Sequence, residues 1–363
     1  MEAMRYLSVC SGIEAASVAW HHLGWQPVGF SEIEPFPSAV LAHRFPSTPN
    51  FGDMTKHEQW PIRLGSVDLL VGGTPCQSFS VAGLRKGLSD PRGGLMLTYL
   101  EIAQRLRPRW LVWENVPGVL SSGRGRDLGA FLGALGLLGY GVAYRVLDAQ
   151  WCRTHGHPRA VPQRRRRVFV VGCLGDGAAA AAVLFERESV CRDSAPRRTT
   201  GQGAAADAEG CAGTVSSKWA KGTGGPAGDE CYNLTMQPVG YRWQNDRDGL
   251  VQDGTAPTCR ASAGSGFHEM NHPVVVQGDT LATTVAVAQA MTVRRLTPRE
   301  CERLQGFPDD WTMIPWRKKC AEDCPDGPRY KALGNSMAVN VMAWIGERID
   351  NYERTGNAVR TEG

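Results

Sequence analysis

The sequence predicts an α/β chain: a doubly wound, mostly parallel sheet with a smaller, loop-rich module inserted before the C-terminal helices. Three observations predict it. Short apolar runs at 67–71, 110–113 and 168–172 alternate with segments of helical spacing. Acidic or thiol side chains stand at the carboxyl ends of such runs, where open α/β sheets gather their ligands. From about 175 to about 290 the composition shifts to Gly, Ala, Ser, Thr and Asp, and a strong helix start then restores the apolar pattern at Thr297.

Residues 5–9 read as the first strand. Cys10, Ser11, Gly12, Ile13 and Glu14 form a turn, and 15–23 has helical spacing with Gly24 as its stop. Strand, turn and helix in that order place a ligand at a helix N-terminus. Gly12 is the only glycine of the turn, short of a full dinucleotide pattern. A second strand, 27–33, brings Glu32, Ile33 and then Glu34 to its end. An acid about 20 residues after the turn suits a ribose hydroxyl pair; the bland alternative is a surface acid. Asp53, beyond a helix at 36–44, is a second candidate cofactor contact, for example to an adenine amino group.

The strand at 67–71 runs into Gly72-Gly73-Thr74-Pro75-Cys76-Gln77-Ser78-Phe79-Ser80. Its thiol is presented at the rim of a cleft behind a rigid Thr74-Pro75 pair. Cys76 is either a nucleophile or a buried, inert cysteine. The following stretch, to Gly94, carries Arg85, Lys86 and Arg92 among glycines, a loop suited to closing over a polyanion. A helix at 95–106 leads to a strand that delivers Glu114 at its end. Burying an unpartnered carboxyl is costly, so Glu114 is either paired or functional.

A glycine-broken helix at 125–138 and a strand at 140–151 follow. Val161-Pro162-Gln163 then leads into Arg164, Arg165, Arg166 and Arg167 and the strand at 168–172. With Arg153, His155, His157 and Arg159 nearby, this is a basic patch on a chain of net charge +4. It points to a confined polyanion site; a solvated face is the alternative. Thr297 and Glu300 form a capping box with Pro298 at the first helical position. That helix runs to about 305. Gly334-Asn335-Ser336 opens a final helix to about 349, with Asn335 as its N-cap, and the tail from Asn351 is polar and frayed. Cys320 and Cys324 lack a second ligand pair, so no metal is expected. The divisions expected are 1–174, 175–293, 294–350 and 351–363.

The chain has 363 residues, 42% of them hydrophobic, and no run of apolar residues long enough to span a membrane. The N-terminus lacks a signal-peptide pattern. Eleven cysteines, odd in number and irregular in spacing, suit reduced thiols in a cytoplasm better than a secreted disulfide framework. A thiol redox enzyme is excluded because no C-x-x-C pair includes Cys76.

Taken in order, these blocks resemble the cytosine-5 DNA methyltransferases. The match runs through 5–172 and 294–346. It rests on Ser11-Gly12, Pro75-Cys76-Gln77, Glu114-Asn115-Val116, Gln163 with Arg165 and Arg167, Arg295-Leu296-Thr297-Pro298-Arg299-Glu300, and Gly334-Asn335-Ser336. It stops at the variable segment, where that family carries its target-recognition domain. The resemblance implies a Rossmann-like methyltransferase fold, S-adenosylmethionine as cofactor and double-stranded DNA as partner. It further implies a monomer, with a cognate restriction endonuclease as a separate companion.

The resemblance also assigns roles. Cys76 would add to carbon 6 of a flipped-out cytosine so that carbon 5 can take a methyl group. Glu114 would protonate or hydrogen-bond ring nitrogen 3. Arg167 would contact the base carbonyl, with Arg165 supporting the pocket or a phosphate. Cofactor contacts would come from Cys10, Ser11, Gly12, Glu32, Ile33, Asp53, Pro75, Asn335 and Ser336. DNA contacts would come from Gln77, Ser80, Arg85, Arg92 and Gln163. Two residues depart from the family pattern: Cys10 where Phe is common, and Glu14 where glycine is. The rivals are a tRNA cytosine-5 methyltransferase on the same scaffold and a non-catalytic DNA-binding protein with a decayed site. The long insertion argues against the first, and Cys76, Glu114 and Arg167 argue against the second.

Overall fold

The computed structural model describes residues 3–74, 94–185, 234–240, 242–243, 250–251 and 289–360. Pro75, Cys76, Gln77, Ser80, Arg85 and Arg92 lie outside the described residues. The chain divides into two units, one of residues 1–232 and 297–363 and one of 233–296.

The larger unit is built on six strands: β1 (Arg5–Val9), β2 (Gln26–Ser31), β3 (Leu69–Gly72), β4 (Trp110–Asn115), β5 (Tyr140–Asp148) and β6 (Arg166–Leu174). They lie in the order β2-β1-β3-β4-β6-β5. The pairings β1–β2, β1–β3 and β3–β4 are parallel, and β6 runs antiparallel to both β4 and β5. The chain therefore steps from β1 to one side for β2 and returns to the other side for β3. Ligands bind at such a reversal, beyond the carboxyl ends of the strands.

Helices cover both faces. One face packs α3 (Gly94–Leu106) and α4 (Arg126–Leu137), burying Tyr99, Leu100, Phe131 and Leu135 against Leu70 and Trp113. Burial of each such side chain stabilises the fold by roughly 1.5–3 kcal/mol. The other face packs α1 (Ala15–Trp20), α5 (Gly177–Leu184) and a long last helix, α8 (Val339–Arg360). Trp20 is fully buried there and donates its indole N–H to Met342 O at 2.8 Å. A Cβ at Gly346 would overlap that indole, so only glycine lets α8 approach so closely.

Several expectations need correcting. Helix α5, drawn from the alanine-rich stretch assigned to the inserted module, packs on β5 and β6. Its alanines suit close contact with the sheet rather than a flexible loop. The tail expected to fray from Asn351 is helical to Arg360. Glu353 accepts from Trp110 Nε1 at 2.8 Å and pairs with Arg109 at 2.7 Å. Asn335 does not cap the final helix. It ends α7 (Asp326–Asn335), and α8 begins at Val339.

The capping box at Thr297 and Glu300 is present in α6 (Pro298–Gln305), which Gly306 closes at φ 80°. Helix α2 (Pro35–Arg44) follows β2. In the smaller unit, β10 (Gln289–Arg295) pairs antiparallel with β7 (Leu234–Gly240), and β8 (Arg242–Trp243) pairs with β9 (Leu250–Val251). Among the described residues no helix is long and apolar enough to cross a membrane.

Candidate active site

The carboxyl ends of β1, β2, β3 and β4 open on one cleft of about 720 Å³, within the size range of ligand sites. Gly12, Glu32, Ile33, Asp53, Glu114, Arg165, Arg167 and Asn335 all line it.

The turn after β1 uses backbone that glycine normally favours. Cys10, Gly12 and Glu14 have φ of 49°, 57° and 65°. Glu14 stands where the resemblance expects glycine, and its own side chain explains how it is tolerated. The carboxylate is 1% exposed. It accepts from Ser8 Oγ at 2.8 Å and from Ser17 N and Oγ at 3.1 Å, capping α1. Burial pushes its pKa up to about 7, against the hydrogen bonds from Ser8 and Ser17. Cys10 lies 3.5 Å from the Met54 sulfur. Burial and then the Glu32 charge push its pKa to about 12, so it stays a thiol.

Glu32 follows the end of β2. Its two carboxylate oxygens accept from Gly12 N at 2.8 Å and Glu34 N at 2.7 Å, tying the two strand ends together. Ile33 is 69% exposed, an apolar side chain left open at the cleft. Asp53 accepts from Thr55 N and Oγ1 at 3.0 and 2.8 Å, and those bonds hold its carboxyl below the usual range. Lys331 of α7 reaches Glu34 at 2.7 Å, a partner that no sequence signal marked.

Glu114 leaves β4 toward the cleft. Arg167 Nε lies 3.1 Å from Glu114 Oε1, and both side chains are mostly buried. Burial raises the Glu114 pKa, while Arg167 and then Arg165 pull it back. On its other side the chain passes at Gly73, where a Cβ would sit 2.8 Å from Glu114 Oε2. The carboxyl is thus wedged between an arginine and the strand that leads to Cys76.

That strand is anchored to β4 at its last described residue. Trp113 Nε1 donates to Thr74 Oγ1 at 2.9 Å, and Asn115 Nδ2 donates to Thr74 O at 3.0 Å. Asn115 also accepts from Val116 N at 2.8 Å. Cys76 stands two residues beyond this double anchor in sequence. Sequence reasoning read Thr74 only as a stiff partner for Pro75; its hydrogen bonds connect the thiol's segment to the acid's strand.

The arginine block alternates as a strand must. Arg164 and Arg166 are exposed, Arg165 is buried and Arg167 is half-buried. Arg165 donates to Gly334 O at 3.0 Å and Ser336 O at 2.6 Å, so it holds the Asn335 segment against the start of β6. Burial and the neighbouring Arg167 lower its pKa to about 9, which leaves it charged at neutral pH. At 2% exposure it braces the pocket from behind. Gln163, expected at DNA, is fully buried at 0%. Ser336 is also buried and, with Asn335, lines a small cavity between the Gly12 turn and Glu114.

A family model for C-5 cytosine-specific DNA methylases matches residues 4–208 and 215–351. A phage P1 protein named DNA N-6-adenine-methyltransferase is 37% identical over 481 residues, covering 96% of this chain and 61% of that protein. The type II methyltransferase M.HpaII of Haemophilus parainfluenzae is 28% identical over 369 residues, covering 98% of this chain and 91% of its own. The chain thus spans under two thirds of the phage P1 relative and most of the Haemophilus one. Among solved structures, the Entamoeba histolytica methyltransferase EhMeth superposes with a TM-score of 0.54 at 12% identity, covering 98% of this chain and 99% of that one. That likeness speaks to the fold.

Proposed function

The chain belongs to the C-5 cytosine-specific DNA methylase family, and from that premise we propose that it methylates carbon 5 of cytosine in a specific DNA sequence. The observation that carries the reading is Glu114. It is a mostly buried acid of raised pKa, paired with Arg167 and set beside the strand that leads to Cys76.

Carbon 5 of cytosine is too poor a nucleophile to take a methyl group unaided. The Cys76 thiolate adds to carbon 6, forming an S–C bond and pushing an electron pair through the ring toward carbon 5. Glu114, whose pKa burial raises, donates in its protonated form to ring nitrogen 3 and offsets the charge that develops there. Arg167 holds the base carbonyl and orients Glu114. Arg165 acts as a positioning residue behind them. After transfer, loss of the carbon 5 proton to a base expels Cys76 as thiolate and restores the aromatic ring. The target base leaves the stack to reach this cleft, at a cost of a few kcal/mol. The basic segment with Arg85 and Arg92, together with Gln77 and Ser80, offsets that cost through the DNA backbone.

The cleft suits S-adenosylmethionine, which when bound supplies the methyl group. Glu32 would hold the ribose hydroxyls and Asp53 the adenine amino group, with Ile33 against the ring. Gly12, Ser11, Asn335 and Pro75 would hold the amino-acid end. Relatives named type II methyltransferases support a role as a modification enzyme paired with a separate nuclease.

The phage P1 relative's name raises a second reading, methylation of adenine N6. That chemistry attacks from an exocyclic amine and needs no thiol, so it leaves Cys76 and the Glu114–Arg167 pair without a task. Nucleoside mass spectrometry of DNA treated with the purified chain separates the two. 5-Methylcytosine is the expected product. N6-methyladenine in its place overturns the reading, as does methylation confined to tRNA.

A further inference from the structure

The segment between α6 and α7 carries a tight turn that its sequence does not favour. Trp316 N–H donates to Lys319 O at 3.1 Å and Lys319 N–H returns to Trp316 O at 3.0 Å. The two residues between, Arg317 and Lys318, have φ of 47° and 66°. Two left-handed residues inside a reciprocally bonded pair are the signature of a type I′ turn, which asparagine and glycine normally fill. Here both positions hold long cations, and a third follows at Lys319. Backbone held in sparsely populated conformations concentrates at functional sites.

The turn is built into the rim of the active-site cleft. Trp316 and Arg317 line the same cleft as Glu114 and Arg167. The Trp316 ring meets Phe36 of α2 edge-on at 5.3 Å, which anchors the turn beside the end of β2. The Arg317 guanidinium lies over the Trp316 ring at 5.5 Å, and the residues Arg317, Lys318 and Lys319 are exposed. Other cations of this region are neutralised: Arg299 by Asp310, Arg303 by Asp309, Arg329 by Glu302 and Lys331 by Glu34. Among the described residues Arg317, Lys318 and Lys319 have no carboxylate partner. Three unneutralised cations on a preset turn match a row of phosphates, and exposed basic residues of this kind carry sequence-independent DNA affinity.

We propose that the Trp316–Lys319 turn is a phosphate grip that holds the DNA backbone at the mouth of the cleft. The proposal rests on the reading that the chain acts on DNA. It adds residues 317–319 to the binding surface, and they belong neither to the basic loop nor to the recognition module.

The test is the salt dependence of DNA affinity for the full chain, its R317N/K318G variant and Lys319→Gln, on one short duplex. Asn-Gly suits the turn, so R317N/K318G keeps the fold and is expected to melt no lower than the parent. Each phosphate that the chain no longer neutralises reduces the slope of log affinity against log salt by about 0.9. The double variant is expected to lose roughly 2 units of slope and Lys319→Gln about 1. S-adenosylmethionine affinity stays as in the parent. An unchanged slope in both variants overturns the grip, and so does a loss of cofactor affinity with the slope retained. A parent chain that neither binds nor methylates DNA overturns the functional reading itself, so the two failures are distinguishable.

Discussion

Arg167 holds Glu114 from one side, and Gly73 leaves its carboxyl room on the other. The direction of the Glu114 pKa follows from that geometry. Burial favours the protonated acid, and the arginine opposes it. If protonated Glu114 does the work, the methylation rate falls as pH rises through its raised pKa. Glu114→Gln is expected to lower the single-turnover rate by about 10²–10⁴-fold, to abolish that alkaline limb, and to leave DNA affinity nearly unchanged. Arg167→Gln removes the cation that favours the ionised acid. The limb should then move to higher pH even as the rate falls, and a pH–rate series on the three proteins checks both expectations.

Glu14 offers a separate test through stability. Its carboxyl binds its proton up to about pH 7 in the folded chain, against an ordinary value of 4.5. The folded state therefore holds a proton that the unfolded state has released between those values. Its contribution is fully present below the ordinary value and is lost as pH rises toward 7. Denaturant titrations of the parent are expected to show that decline, and Glu14→Gln to flatten it.

The residue scale was partly legible. Glu114 and Glu32 announced themselves as acids at the ends of apolar runs. The burial of Gln163 was not legible, because its place beside an arginine block says nothing about which way a side chain faces. The loop before β6 turns Gln163 and Arg165 inward, and Arg165 is held there by the carbonyls of Gly334 and Ser336, far along the chain.

Among the elements, the return segment is held by a buried network with no local signature. Glu302 of α6 is fully buried, accepts from Thr312 N at 2.8 Å and faces Arg329 of α7 at 3.3 Å. Removing one partner strands the other charge away from water. Arg329→Leu is expected to cost about 3–5 kcal/mol, measurable by urea denaturation. A loss below about 1 kcal/mol would place the pair among weak surface bridges. Helix α6 itself could be read from its capping box, since a cap is written within four consecutive residues. The C-terminal limit of α8 could not. It runs past Asn351, where Glu353 reaches Trp110 and Arg109 and Tyr352 donates to Asp176 at 3.0 Å. These partners lie far away in sequence. The direction of β6 was equally hidden, because an apolar run reads the same in either direction.

For the molecule as a whole, the sheet order explains why residues so far apart share one cleft. The reversal between β1 and β3 sets the Gly12 turn beside Gly73, and β4 delivers Glu114 next to both. Arg165 then draws the Gly334–Ser336 segment onto the same floor. The alternation of strands and helices was enough to read this architecture. The way the long insertion leaves and re-enters it was not, because composition marks a change of module without marking which neighbouring helix still belongs to the sheet.

The most direct measurement is bisulfite sequencing of DNA from cells expressing this chain, beside cells expressing Cys76→Ala. The expected result is methylated cytosine at one recurring short site with the parent and none with the variant, whose folding and S-adenosylmethionine affinity match the parent's. Equal methylation in both would remove Cys76 from the chemistry, and no cytosine methylation with the parent would contradict the account as a whole.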